Sequence, residues 1–277
     1  MKHIEGIFKG VRDLDVYYQS FLPEGDTKAA VLIVHGLGEH SGRYTNVVNY
    51  LLPLGYAVYG VDLPGHGKSE GVREYVKDFD DYIQTVTTVY NILKAEQPGK
   101  PMFLLGHSMG GLISCHYLLE HSDDFQGAVI SGPGILVPDF VNKFTIFAGK
   151  LLSIIAPKVG LIGLDPSGVS RDPEVVQSYI DDPLVYLGKT TARLSAEMLQ
   201  AMMTVSEKIA QITAPLLIVH GSDDQLVNPK ASQLLYERAS STDKTLKVYD
   251  GLAHEVFNEP EHQEVLSNVA DWLDAHL

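Results

Sequence analysis

Met102-Phe103-Leu104-Leu105-Gly106-His107-Ser108-Met109-Gly110-Gly111 is an apolar run that ends in G-H-S-M-G-G, with helix-compatible residues directly after it. A strand, one sharp turn carrying a serine and then a helix is the layout of a nucleophile elbow. The turn forces Ser108 into strained backbone angles and lifts its hydroxyl clear of the sheet. Gly106 and Gly110 are needed because a side chain at either position would strike the strand or the helix. G-x-S-x-G alone is weak evidence in a chain with this much glycine and serine. Its position between a strand and a helix strengthens it, and an acid and a histidine in the right order downstream would make it decisive.

Other apolar runs of strand length surround this one: Ala29 to His35, Tyr56 to Val61, Ala128 to Ser131, Pro215 to His220 and Thr245 to Tyr249. Continuous runs suit strands buried on both faces of a sheet. Helical patterns fall between them, near 42–52, 78–96, 109–121, 230–239 and 260–276. Residues 4–22 alternate apolar and polar positions and predict an antiparallel hairpin at a sheet edge. Strand-helix alternation predicts an α/β fold, a mostly parallel, doubly wound sheet with helices on both faces. Residues 134–210 interrupt the alternation, contain no convincing strand and sit between Gly132-Pro133-Gly134 and Ala214-Pro215. They read as an inserted helical cap over the carboxyl ends of the strands, with 1–133 and 211–277 forming the core.

A serine hydroxyl needs a histidine to take its proton and an acid to hold that histidine in one tautomer. On a sheet with this elbow the chain order is serine, acid, histidine. The run Pro215 to His220 ends in Gly221-Ser222-Asp223-Asp224, and the next run leads into Asp250-Gly251-Leu252-Ala253-His254. Strand parity does not choose between Asp223 and Asp224. Of the eleven histidines only His254, His262 and His276 follow Asp224, and the last two fall on the terminal helix pattern. His254 is therefore the candidate base. Acyl transfer also needs donors for the developing oxyanion. Met109 N–H, at the helix start, is one. Leu37 N–H, in His35-Gly36-Leu37-Gly38, is the other, since flanking glycines permit a tight turn. His35 reads as a structural ring under that loop, and Asp62-Leu63-Pro64-Gly65-His66-Gly67 as a rigid turn.

The net charge of −14 excludes nucleic acid as a partner, because phosphate binding needs clustered Lys and Arg. The single cysteine, Cys115, reads as core filler and permits no intrachain disulfide. Histidines are too dispersed for a metal site, no dinucleotide or phosphate-binding glycine pattern is present, and no cofactor is expected. MKHIEGIFKG carries no signal-peptide block and no stretch reaches transmembrane length, so a cytoplasmic protein is expected.

Further stretches are more selective than the elbow. They are His35-Gly36-Leu37-Gly38-Glu39-His40-Ser41-Gly42-Arg43-Tyr44, Gly65-His66-Gly67-Lys68-Ser69-Glu70-Gly71, Ser170-Arg171-Asp172-Pro173, Asp182-Pro183-Leu184-Val185 and His254-Glu255-Val256-Phe257-Asn258-Glu259-Pro260. With these, the chain resembles the monoacylglycerol lipases of the α/β-hydrolase superfamily over nearly its full length, in the manner of bacterial members. The resemblance implies the α/β-hydrolase fold and hydrolysis of the single ester of a monoacylglycerol. It implies a triad of Ser108, Asp224 and His254, favouring the second aspartate, with Leu37 and Met109 as oxyanion donors. It associates Glu39, Arg43 and Tyr179 with the glycerol end of the pocket, although Glu39 and Arg43 also read as a salt bridge bracing their loop. Thiols found near the pocket in vertebrate members are missing from 134–210. Lysophospholipase or general carboxylesterase activity is the alternative, then proline aminopeptidase activity, then a non-catalytic ligand-binding member of the fold.

Phe140 to Ile162 (FVNKFTIFAGKLLSIIAPKVGLI) is strongly apolar, and its only charges are Lys143, Lys150 and Lys158. One reading rests it transiently on a lipid surface, making the protein peripherally membrane-associated. The other packs its apolar face inward to line an acyl tunnel.

Overall fold

The computed structural model describes residues 1–138 and 141–277. Phe140, at the head of the apolar stretch, lies outside the described residues. Strands β1 (Lys2–Lys9) and β2 (Asp15–Leu22) form the expected antiparallel hairpin. There follow β3 (Ala29–Val34), α1 (Thr45–Leu51), β4 (Tyr56–Val61), α2 (Asp80–Glu96), β5 (Met102–His107), α3 (Met109–Leu118) and β6 (Gly127–Ser131). An inserted segment carries α4 (Lys143–Ile155), β7 (Gly160–Gly163), α5 (Pro173–Asp181), β8 (Lys189–Thr191) and α6 (Ala192–Lys208). The chain then returns through β9 (Leu216–Gly221), α7 (Lys230–Arg238), β10 (Lys244–Tyr249) and α8 (His262–Ala275).

Eight strands join in the order β1-β2-β4-β3-β5-β6-β9-β10. The hairpin and the β2–β4 pair are antiparallel, and every other pair in this sheet is parallel. Alternate residues of each parallel strand feed opposite faces. In β3, Ala30, Leu32 and Val34 join a core with residues of α2, α3 and α7, while Ala29, Val31 and Ile33 join one with residues of α1 and α8. Burial on both faces is why these strands are unbroken apolar runs.

Strand order reverses at β3: β4 lies on one side of it and β5 on the other. The loops leaving β3 and β5 therefore part company at their carboxyl ends and open a crevice, the usual ligand position in such sheets. The inserted segment is tied to that edge. Tyr186 N donates to Gly38 O at 2.8 Å, and Glu255 N to Val169 O at 2.8 Å. One expectation for the segment fails: it does contain strands. β7 and β8 pair as an antiparallel ribbon. Each is only three or four residues long, and β7 is exposed along its whole length, so no alternating or buried apolar pattern marks them.

Candidate active site

Ser108 sits at φ 55° and ψ −117°, an arrangement open to few non-glycine residues and costing about 1–3 kcal/mol. Surrounding bonds hold it there. Ser108 N donates to Ser131 O at 2.9 Å, Gly134 N donates to Ser108 O at 3.0 Å, and Leu112 N donates to Ser108 O at 3.1 Å. The elbow glycines are required sterically. A Cβ on Gly106 would lie 2.2 Å from Ser114 Oγ, and one on Gly110 would lie 2.0 Å from Val34 O.

On the loop after β9, Asp224 is buried and Asp223 is exposed. His254 Nδ1–H donates to Asp224 Oδ2 at 2.6 Å. The other carboxylate oxygen accepts from Leu226 N and Val227 N, both at 2.8 Å. Burial pushes the Asp224 carboxyl up, but the bonds from His220, His254 and Val227 N–H outweigh it and keep the group ionised, well below the usual carboxylate range. A charged Asp224 accepts only, which fixes the hydrogen of His254 on Nδ1 and leaves Nε2 free as a base. Ser108 and His254 line one cavity of about 10 Å³, with Gly36, Leu37, Glu39, His107, Leu164, Val169, Tyr179 and Glu255. Among the described residues no hydrogen bond joins Ser108 Oγ to His254. Such bonds commonly tighten only when substrate arrives.

Met109 N–H opens α3, where helix donors have no internal acceptor. Leu37 follows Gly36, whose Cα faces Ser108 so closely that an added Cβ would lie 3.2 Å from Ser108 Cβ. Neither Leu37 N–H nor Met109 N–H has an acceptor among the described residues. Glu39 fixes the loop by accepting from Gly36 N at 2.6 Å and Tyr44 OH at 2.8 Å. Arg43 donates from Nη1 to Glu39 at 2.9 Å, and from both Nη1 and Nη2 to Glu255, at 2.5 and 2.8 Å. Its guanidinium also lies 4.5 Å from the centre of the Tyr179 ring. Burial raises the Glu39 carboxyl, but Arg43, His107 and His35 overcome it and leave it at about 2. Arg43 is thus bound on two sides by carboxylates, while Glu39 and Tyr179 line the cavity.

His35 is structural: its Nε2 accepts Leu63 N–H at 2.9 Å and its Nδ1–H meets Gly36 O at 2.7 Å. Asp62 braces the turn that carries His66 by accepting from Ser41 N and Lys68 N, each at 2.8 Å. Cys115 is buried in α3, its thiol pushed up to about 12 by burial. Among the described residues no group of three His, Cys, Asp or Glu is placed to hold a metal.

Three residues near the site have no clear sequence signal. His107 packs its ring 4.6 Å from that of His254, and burial, with His254 adding to it, pushes it down to about 3. His220 bonds Asp224 from beneath. Glu74 is a buried carboxyl next to the loop after β3: an added Cβ on Gly38 would lie 3.0 Å from Glu74 Oε1. Its main-chain carbonyl accepts the Thr191 hydroxyl at 2.6 Å, while its Oε2 has no partner. Burial raises Glu74 to about 7, opposed in part by Thr190.

A folded-state value above the ordinary 4.5 means the native chain keeps a proton that the unfolded chain loses. Stability therefore falls as pH rises from about 4.5 to about 7, and the full penalty remains above that range. Glu74→Gln removes it. The variant is expected to gain up to about 3 kcal/mol over wild type at pH 8.5, with the gap closing towards pH 4.5. Urea unfolding at the two pH values measures this, and an equal difference at both would contradict the raised carboxyl.

A second cavity, of about 290 Å³, also has Leu37 in its wall. Its walls include Pro138, Val141, Leu161, Ile162, Met198 and Met202, and no charged side chain is among its described lining. α4 contributes Thr145 and Gly149 to it. The same helix exposes Phe144, Phe147, Leu151, Ile154 and Ile155 on another face, with Phe144 at 78% and Ile155 at 72% exposure. The apolar stretch therefore serves both an interior and an exterior surface.

The family model for serine aminopeptidase, S33, matches residues 25–261. Over 273 residues the chain is 38% identical to a monoacylglycerol lipase of Mycolicibacterium smegmatis, covering 99% of this chain and 98% of that one. It is 37% identical to the human monoglyceride lipase over 86% of this chain and 78% of the relative. The crystal structure of a monoacylglycerol lipase from Paleococcus ferrophilus superposes with a TM-score of 0.84 at 33% identity, covering 95% of this chain and 99% of that one.

Proposed function

Because the chain belongs to the serine aminopeptidase, S33, family of hydrolases, we propose that it splits the ester of a monoacylglycerol into glycerol and a free fatty acid. The observation that carries this reading is the position of Leu37. Leu37 lines both the cavity that holds a serine and a histidine and an apolar chamber suited to an acyl chain.

Ser108 Oγ rotates towards His254 and attacks the ester carbonyl, and His254 Nε2 takes its proton. Leu37 N–H and Met109 N–H stabilise the oxyanion. Asp224 holds the imidazolium in place. Collapse of the intermediate breaks the bond to the glycerol oxygen, which leaves with the proton from His254. Water then gives a proton to His254 as it attacks the acyl-serine, and His254 passes that proton to Ser108 Oγ as the acyl bond breaks, releasing the fatty acid and restoring both residues. Glu39 and Tyr179 face the glycerol hydroxyls, and Arg43 braces both. The inserted segment, 134–210, acts as the lid, contributing Leu164, Val169 and Tyr179 to the reaction cavity.

The head-group end holds two carboxylates, Glu39 and Glu255, against one guanidinium. That balance accepts hydroxyl donors and disfavours a phosphate. The checking experiment compares a monoacylglycerol, a lysophosphatidylcholine of equal chain length and a prolyl amide. The expected kcat/KM favours the monoacylglycerol at least about tenfold, corresponding to roughly 1.4 kcal/mol. Equal or faster turnover of either rival would overturn the assignment.

The exposed face of α4, with Lys150 and Lys158 near it in a chain of net charge −14, supports transient seating on an anionic lipid surface. No described helix is long and apolar enough to cross a membrane. Wild type is expected to sediment with phosphatidylglycerol vesicles and the variant Lys143→Glu, Lys150→Glu, Lys158→Glu to remain in solution. Equal and negligible sedimentation of both would end the idea.

A further inference from the structure

His220 ends the apolar run of β9 and has no solvent exposure. Its Nε2 faces Asp224 Oδ2 at 3.0 Å and the Val227 carbonyl at 3.1 Å. Both are acceptors, so the hydrogen resides on Nε2. Nδ1 lies 2.6 Å from Ser232 Oγ and takes the hydroxyl hydrogen. Asp224 Oδ2 is thus the acceptor for two imidazoles, His220 at 3.0 Å and His254 at 2.6 Å. Its other oxygen is filled by Leu226 N and Val227 N.

We propose that His220, with its Nε2 hydrogen directed at Asp224 and its Nδ1 bonded by Ser232, is a positioning residue that sets the basicity of His254 through the carboxylate oxygen their rings share. The proposal rests on reading Ser108, Asp224 and His254 as the reacting set. A carboxylate oxygen that already accepts one N–H has less charge to offer a second partner. The His254 imidazolium is therefore held less strongly than it would be by a carboxylate oxygen accepting from no other ring. His254 stays uncharged, and ready to accept the Ser108 proton, down to a lower pH.

Besides Asp224, the groups that face His254 are the His107 ring and, around the same cavity, Glu39 and Glu255 with their shared Arg43. Among the described residues none of them is hydrogen-bonded to His220, so a substitution at 220 reaches His254 through Asp224. Removing the second donor returns charge to Oδ2, stabilises the imidazolium and raises the pH at which the base becomes available. A histidine that only fills the core would behave differently. Its loss would lower stability and the activity plateau without moving the acidic limb of the pH profile.

The experiment measures kcat/KM against pH with p-nitrophenyl butyrate for wild type, His220→Leu, His220→Gln and Ser232→Ala. His254 is titrated directly by NMR in each of the four combined with Ser108→Ala. The acidic limb of His220→Leu is expected about one pH unit above wild type, with KM unchanged. Ser232→Ala removes the donor to Nδ1 and so weakens the Nε2–H donor while leaving the ring in place, and is expected to move the same way by less. His220→Gln keeps an N–H donor directed at Asp224 and is expected to track wild type. If His220→Leu does not fold, Ser232→Ala and His220→Gln decide. Limbs and His254 titrations that stay put in folded, active variants overturn the proposal alone. A wild type that fails to hydrolyse esters overturns the reading beneath it.

Discussion

Ser108→Ala is expected to lower turnover of a monoacylglycerol by roughly 10⁶-fold, the scale on which loss of an activated serine is felt when base and oxyanion donors remain. The fold should not change. Alanine meets the same backbone strain as serine at φ 55°, and the bonds from Ser131, Gly134 and Leu112 are all to main-chain atoms. Unfolding midpoints of the two proteins should therefore agree closely. A fluorophosphonate probe should label wild type at Ser108, as read by peptide mass, and leave the variant unlabelled. Activity above about one per cent of wild type, in a preparation free of other esterases, would show that another group attacks the ester.

Asp224→Asn is expected to cost about 10⁴-fold in kcat. The geometry dictates the sense of the substitution. Two backbone N–H groups, of Leu226 and Val227, meet one oxygen of Asp224, and two imidazole nitrogens meet the other. An asparagine keeps its carbonyl on the rigid backbone pair and turns its amide NH₂ towards the rings. His254 must then accept at Nδ1 and carry its hydrogen on Nε2, the wrong tautomer to take a proton from serine. Side-chain volume scarcely changes, so circular dichroism should match wild type. A loss of less than tenfold would remove Asp224 from the mechanism.

The sheet is legible in the sequence because parallel strands covered on both faces leave uninterrupted apolar runs, and these coincide closely with β3, β4, β5, β6 and β9, while the edge strand β10 is half-buried and carries lysines. The ribbon of β7 and β8 is not legible. Gly160–Gly163 and Lys189–Thr191 are too short to establish a period, and their pairing spans a long sequence separation. Chain order and strand ends lead to Ser108 and His254, but the choice between Asp223 and Asp224 depends on the turn after β9, which parity does not describe. Resemblance favours the second aspartate, and the buried bonds to His254 and His220 explain why that position suits the work. His220 itself gives only a faint sign, an imidazole closing an apolar strand four residues before an acid. Glu74 gives none, since the groups beside it include Gly38 and Thr190, which approach from distant parts of the chain.

Leu37 belongs to two worlds. In the proposed reaction its amide turns to the carbonyl under attack, while the residue also forms part of the wall of the apolar chamber. The two duties reside in different atoms, main chain for rate and side chain for fit. Exchanging that side chain for a smaller or larger one would retune which tails are welcomed without dismantling the charge-stabilising apparatus, so selection or an engineer could diversify the diet of this scaffold by editing a single codon.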